Sequence, residues 1–530
     1  MVKDAQTLQV TLLVTSDIHG HVLPIRYVDN ESVDTGLIKL ATIMKQIRSE
    51  REHVLLIDNG DLLQGTPFAY YHACLDQTTA HPIVNLMNRL QLDAFIPGNH
   101  EFNYGLDFVK RAREQSEYPW LSANVLNMQT GEPLFGCPYR IFTFPGGVKI
   151  GLLGLTTQYI PNWEQPSHID GLSFESAVKA AKRWVPYLKE QEGVHALIVS
   201  YHGGLERNAE TGEEVEEETG ENEGWRLCQE IEGIDVLLTG HQHQRIGGVY
   251  VNNTLVVQPG YQGSCLAEVE FSLRRNGDTS WSVEARQSRL REAGGMAVDP
   301  ALVELLQAGE ENTQRWLDQP LCKVQGEMQI TDHSGARMNE HPLVELVNKI
   351  QMEVTGTDIS NTALFDNDAP GFGPLVSMRE VTANYPYPNT LKVLRLSGED
   401  IREALEWTAR YFAPYDGLRI EVDPSYLYPK PQHYNYDMWE GIEYTINVSR
   451  PLGSRIEGLS CKGRPLDPSG EYKVVMNHYR ASGGGNYRMF RNKQVIREVT
   501  VEMTELIAEY LMKQGNIVAA KNDNWSVIHE

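Results

Sequence analysis

Hydrophobic runs long enough to cross a bilayer are missing: no stretch of 18 apolar residues occurs in the 530, and a spanning helix needs about 20. The opening MVKDAQTLQVTLLVTSDIHG also lacks a basic start followed by an apolar stretch and a cleavage site. It does not read as a secretion signal, so a cytoplasmic location is expected. Cysteine is scarce and scattered, with six residues at 74, 137, 228, 265, 322 and 461 and no Cys-x-x-Cys pair. Reduced structural thiols are expected rather than a disulfide framework or a thiolate metal cluster. Basic residues are the minority, 47 Lys and Arg against 71 Asp and Glu, for a net charge of −24. Such a surface repels duplex nucleic acid, which is held by cationic side chains on phosphates. An acidic protein that handles a phosphate needs a local positive source, and bound metal ions are one.

What is present is a globular composition, 41% hydrophobic and 22% charged, in a chain long enough for two domains. Strand-like apolar runs occur at 8–15, 53–57, 93–96, 148–155, 195–200, 235–239 and 254–258. Helical periodicity lies between them; Leu37, Leu40, Met44 and Ile47 line one face. Near-continuous apolar strands alternating with helices predict a layered α/β domain over 1–297 with largely buried sheets. The acidic segment 210–224 reads as a solvated loop before a helix that starts near Gly224. A linker helix is expected within 298–324 and a second α/β domain over 325–530, with Ser397 and Asp400 capping a helix.

Five segments place metal-capable side chains just after strands. They are Asp17 and His19 in SDIHGH, Asp61 in DNGDLLQG, Asn99 and His100 in PGNHE, His202 in SYHGG, and His241 and His243 in GHQHQ. The C-terminal ends of strands are where open α/β sheets bind ligands. The metal donors comprise two Asp, one Asn and four His without thiolate, a chemistry for borderline or hard divalent ions. More side chains converge than the three that one open catalytic zinc site needs. Two ions about 3.5–4 Å apart, with Asp61 between them, are the natural solution.

The motifs DIHGH, GDLLQG, GNHEFNYG, SYHGG and GHQH resemble those of the calcineurin-like metallophosphoesterases. The C-terminal half resembles the second domain of the 5′-nucleotidase family. YPYPNTLKVLRLSG, YNYDMWEG and NHYRASGGGNY are most similar to the 2′,3′-cyclic-nucleotide 2′-phosphodiesterase/3′-nucleotidase branch. The resemblance implies an N-terminal four-layer α/β sandwich and a C-terminal α/β substrate domain. It implies that Asp17, His19, Asp61 and His243 hold one divalent ion and Asp61, Asn99, His202 and His241 another, with Mn, Zn or Fe expected. His100, with Asn99, is the implied catalytic residue beside the phosphate. Glu101 has no role to carry over and reads as a structural or solvated carboxylate.

One position departs from the family. Asp often stands three residues after the catalytic histidine, and here the residue is Asn103. An amide orients a ring but carries no charge, so His100 is expected to be less basic than in relatives with a His–Asp dyad. The implied partner is a small-molecule nucleotide, without duplex nucleic acid or membrane. Its base is expected between aromatic rings, Tyr436 and Tyr487, with Tyr434 as a rival for the first. Asn361 is expected in the same cleft. The leading reading is a cyclic-nucleotide phosphodiesterase with 3′-nucleotidase activity. A 5′-nucleotidase or a nucleotide-sugar hydrolase on the same site is the alternative.

Overall fold

The structure, a computed structural model, describes residues 7–77, 79–214, 218–276, 280–499 and 501–530. The chain divides into two compact units, 1–313 and 314–530. Their boundary falls inside the helix Pro300–Leu317.

The N-terminal unit is built on two sheets. One has five strands in the order Ser280–Glu292, Cys265–Asn276, Thr7–Thr15, Val54–Asp58, Ala94–Phe95. The other has six, in the order Arg245–Val251, Thr254–Pro259, Val236–Leu238, Ala196–His202, Val148–Thr156, Tyr139–Phe144. The apolar runs predicted from sequence supply the parallel pairs, such as Thr11 with Val54 and Ala196 with Ile150. Alternation along the strands sends Val10, Leu12, Val14, Leu55 and Ile57 into one core with Ile150, Leu152, Ile198, Val236 and Val257 of the other sheet. The opposite face of the six-stranded sheet, with Leu153, Leu155, Leu197 and Val199, packs against Val178, Ala181, Val185 and Leu188 of the helix Ala177–Glu190. The helix Leu37–Glu50 buries the predicted face, Leu37, Leu40, Met44 and Ile47. Each fully buried aliphatic side chain contributes about 1.5–3 kcal/mol relative to exposure, so these layers fix the sheet ends that carry the site. The hairpin Cys265–Asn276 with Ser280–Glu292 was not anticipated, because its outer strand alternates mostly exposed and half-buried residues with little apolar signal.

The C-terminal unit has a five-stranded sheet in the order Asp437–Glu440, Ile359–Ala363, Glu471–Asn477, Leu391–Ser397, Val495–Val499. The helix Pro342–Thr355 packs on the strand Ile359–Ala363. The helix Gly398–Thr408 starts with the expected capping box between Ser397 and Asp400. Among the described residues, no helix is long and apolar enough to cross a membrane. None of the six cysteines is in a disulfide.

Candidate active site

Five loops leave the strand ends and are tied together by their backbones. Asp17 N–H donates to Gly60 O at 2.8 Å, and His19 N–H to Asp61 O at 2.8 Å. Asp17, His19, Asp61, His241 and His243 all have positive φ, between 49° and 67°. Non-glycine residues in this region are uncommon and cluster where a site over-determines the backbone. Five of the seven candidate ligands therefore sit on backbone that local preference does not favour. Gly98 has no room for a side chain: a Cβ there would lie 2.3 Å from Asp61 Oδ1 and 2.7 Å from His202 Cε1.

All seven side chains converge. His202 Nε2 lies 3.1 Å from Asp61 Oδ2 and 3.3 Å from Asn99 Oδ1. His241 Nδ1 lies 2.9 Å from the same Asn99 oxygen. On the other side of Asp61, His19 Nε2 is 3.9 Å from Asp61 Oδ2, 4.0 Å from Asp17 Oδ1 and 3.0 Å from His243 Nε2. His243 Nε2 is 3.6 Å from Asp17 Oδ1. Asp61 thus faces both clusters.

The donor set fits a pair of divalent ions. The nitrogens turned away from the cluster are held by fixed oxygens: His19 Nδ1 by Gln64 O at 3.2 Å, and His202 Nδ1 by Asn59 O at 2.6 Å. His241 Nε2 is held by Glu221 at 2.8 Å. This is how ligating histidines are oriented. Trp163 stacks on His241, with ring centroids 5.2 Å apart, and Tyr261 on His243 at 4.8 Å. Burial disfavours charge on His202, yet the Asp61 carboxylate outweighs it and raises the imidazole to about 10. The Asp61 and Asp17 carboxylates make this cluster a place that favours positive charge.

Two nearby carboxylates serve the backbone instead. Asp58 is buried, accepts from Thr15 Oγ1 and Gly60 N–H, and burial pushes its carboxyl up to about 8. Glu101 is fully buried and accepts four backbone N–H groups: Gly98 at 2.7 Å, Leu62 at 2.8 Å, Asp61 at 2.9 Å and Leu63 at 3.1 Å. It ties the Asp61 loop to the Asn99 loop, so the structural reading holds and the solvated one does not.

Around His100 the structure adds a partner that the sequence does not show. Its Nδ1 lies 2.7 Å from Asn103 Oδ1, while Asn103 Nδ2 donates to Glu164 Oε2 at 2.6 Å. A carboxylate only accepts, so Glu164 fixes which way the amide points. Asn103 Oδ1 then accepts from His100 Nδ1–H, leaving Nε2 for a ligand. The Glu164 carboxylate thus stands one residue further out than the Asp of a His–Asp dyad. Glu164 Oε1 is also held by Gln165 N–H at 2.8 Å and His168 Nδ1 at 2.9 Å.

The acidic segment is only partly a solvated loop. Glu221 reaches His241, and Glu223 accepts from Ser176 Oγ and Ala177 N–H, capping the helix Ala177–Glu190. The helix that follows it does begin at Gly224. Val215–Glu217 lie outside the described residues.

In the C-terminal unit the candidate base-stacking rings do not all lie open. Tyr436 and Tyr487 are completely buried. Tyr487 has Phe490 stacked at 5.6 Å and the Arg480 guanidinium 3.9 Å from its centroid, with Arg480 paired to Asp437 at 2.7 Å. As placed, neither ring offers a face to a base, because both serve the core. Asn361 is likewise buried within its strand, and its amide atoms have no hydrogen-bond partner. Tyr434 is half-buried, edge-to-face with Tyr387 at 6.2 Å and Tyr479 at 6.4 Å.

Seven convergent N and O donors on two sheets define a metal-dependent phosphoester hydrolase. The calcineurin-like phosphoesterase family matches residues 10–245, and the 5′-nucleotidase C-terminal domain matches residues 323–492. A solved structure from Staphylococcus aureus, described as a candidate 5′-nucleotidase in complex with alpha-ketoglutarate, is 34% identical. It aligns over 99% of this chain and 100% of its own, with a TM-score of 0.90. The chain belongs to the 5′-nucleotidase family of calcineurin-like phosphoesterases. The trifunctional nucleotide phosphoesterase YfkN of Bacillus subtilis is 27% identical over 99% of this chain, which spans only 39% of that protein. A 2′,3′-cyclic-nucleotide 2′-phosphodiesterase/3′-nucleotidase of Yersinia enterocolitica is 26% identical over 98% of this chain and 88% of its own.

Proposed function

We propose that the chain hydrolyses nucleotide phosphoesters, with 2′,3′-cyclic nucleotides as its preferred substrates and a further 3′-nucleotidase activity. The observation that carries the hydrolytic reading is the convergence of Asp17, His19, Asp61, Asn99, His202, His241 and His243, five of them on left-handed backbone. The cyclic preference rests on likeness to the Yersinia relative over nearly the whole chain.

Asp17, His19, Asp61 and His243 would hold one divalent ion, and Asp61, Asn99, His202 and His241 the other, with Mn, Zn or Fe suited to the set. When bound, such a pair supplies Lewis acidity at the phosphoryl group and lowers the pKa of water. Asn99 directs its carboxamide oxygen into the cluster. His100 has Nδ1–H fixed on Asn103, so its Nε2 is the atom that meets the phosphoryl or leaving oxygen. Protonated at Nε2, it donates to the charge that develops there. Base recognition falls on Tyr434 with Tyr387 and Tyr479, whose half-buried rings suit sequence-tolerant stacking. Six cysteines without a disulfide suit a reducing compartment, in keeping with a cytoplasmic location.

A 5′-nucleotidase reading is favoured by one observation, the 34% identity to the Staphylococcus structure. A panel of 2′,3′-cyclic AMP, 3′-AMP, 5′-AMP and a nucleotide sugar with Mn²⁺ separates the two. Highest kcat/KM on the cyclic nucleotide supports the proposal, and highest kcat/KM on 5′-AMP replaces it.

A further inference from the structure

A second carboxylate cluster lies in the C-terminal unit. Glu340 precedes the helix Pro342–Thr355, Glu345 is in its first turn, and Glu440 ends the strand Asp437–Glu440. All three are buried, at 4%, 2% and 7% exposure. One oxygen from each lies within 4.8 Å of the others. Two oxygens on one calcium ion are separated by up to roughly 5 Å, twice a Ca–O distance.

Each carboxylate has an oxygen already held. Glu340 Oε2 accepts from the backbone N–H groups of Asn522 and Asp523. Glu440 Oε1 accepts from Asn522 Nδ2 at 2.8 Å and Gly441 N–H at 3.1 Å. Glu345 Oε1 is paired with Lys349 Nζ. The remaining Glu345 Oε2 and Glu440 Oε2 are buried and have no hydrogen-bond partner. Buried oxygens of native proteins are almost always satisfied, and buried carboxylates are paired or bind metal. One ammonium, Lys349 Nζ, faces the three carboxyl groups through Glu345.

We propose that Glu340, Glu345 and Glu440 bind one hard divalent cation, of the calcium class, in the C-terminal unit. Its ligands are oxygen alone, without imidazole, which separates it from the histidine-rich cluster of the N-terminal unit. The ion ties the start of one helix to the end of a strand and, through Glu340, to the segment at 522–523. It takes no part in phosphoester hydrolysis.

The test uses the full chain with its histidine-rich site loaded with Mn²⁺. Equilibrium dialysis against ⁴⁵Ca²⁺ is expected to show one Ca²⁺ more per unsubstituted chain than per Glu345→Gln chain, whose affinity falls by about 10-fold or more. Hydrolysis of bis(p-nitrophenyl) phosphate by the variant stays at the level of the parent chain. Should Glu345→Gln not fold, Glu440→Gln and the Ca²⁺ stoichiometry of the unsubstituted chain decide. No Ca²⁺ on the unsubstituted chain, or equal uptake by it and a folded variant, overturns the proposal and assigns the cluster to shared protons.

Discussion

Restoring the family's aspartate at position 103 is expected to damage this protein. In the structure Asn103 Nδ2 donates to Glu164 Oε2 at 2.6 Å, and Glu164 is buried. Asn103→Asp would replace that donor with a second carboxylate. Two unit charges about 4 Å apart at an effective dielectric of about 20 repel by about 4 kcal/mol. The pair would relax by taking up a proton or swinging apart, and either response moves the acceptor now fixed on His100 Nδ1. If about 2 kcal/mol of the disturbance persists in the transition state, kcat falls by about 30-fold. Adding Glu164→Gln removes the repulsion and returns a donor opposite the new carboxylate. The double variant should therefore be faster than Asn103→Asp alone, with a coupling energy of about 1–3 kcal/mol. The assay is kcat and KM on bis(p-nitrophenyl) phosphate with Mn²⁺, alongside thermal melting of all four proteins. An Asn103→Asp chain as active as the parent, or a double variant whose loss is the sum of the single losses, would refute the relay.

Glu101→Gln replaces an oxygen that accepts two N–H groups with an NH₂ that opposes them. Two buried donors left unsatisfied cost about 2–6 kcal/mol, so a lower Tm and reduced Mn²⁺ occupancy are expected; an unchanged Tm contradicts the role. His81 concerns pH. Burial holds its imidazole down at about 3, against 6.5 in the unfolded chain. Between those values the unfolded state binds the extra proton, so stability is full above about pH 6.5 and is lost as pH falls. At pH 5 the loss is about 2 kcal/mol. His81→Phe should flatten that acid limb in denaturant titrations at pH 5 and pH 7, and an identical pH dependence of parent and variant rules this out.

The convergence of the candidate ligands was legible because chemistry and position coincide. Asp17, Asp61, Asn99 and His241 each follow a hydrophobic strand by a few residues and His202 ends one, and the parallel pairing brings those strand ends together. The residues that orient them carry no such signal. Glu164 lies in a loop of ordinary composition and Glu221 is one of many glutamates in the acidic segment, and only the folded chain sets them beside Asn103 and His241. Glu101 sits inside the most telling motif, yet its partners at 61–63 are 38–40 residues earlier.

The aromatic positions fail for a related reason. A tyrosine in a loop-like stretch serves equally as a stacking platform or as core. Burial decides between them, and burial depends on neighbours far along the chain. Tyr487 illustrates this: its hydroxyl bonds Asn435 O and Thr408, and Arg480, held by Asp437, covers its ring. Two segments distant in sequence, at 408 and 435–437, close with the nearby Arg480 around this one side chain. Tyr434, two residues before the buried Tyr436, stays half-buried at the surface of the same unit. A shift of two positions along YNY thus separates a ring sealed in the core from one that is half-buried. Only packing across the unit makes that distinction.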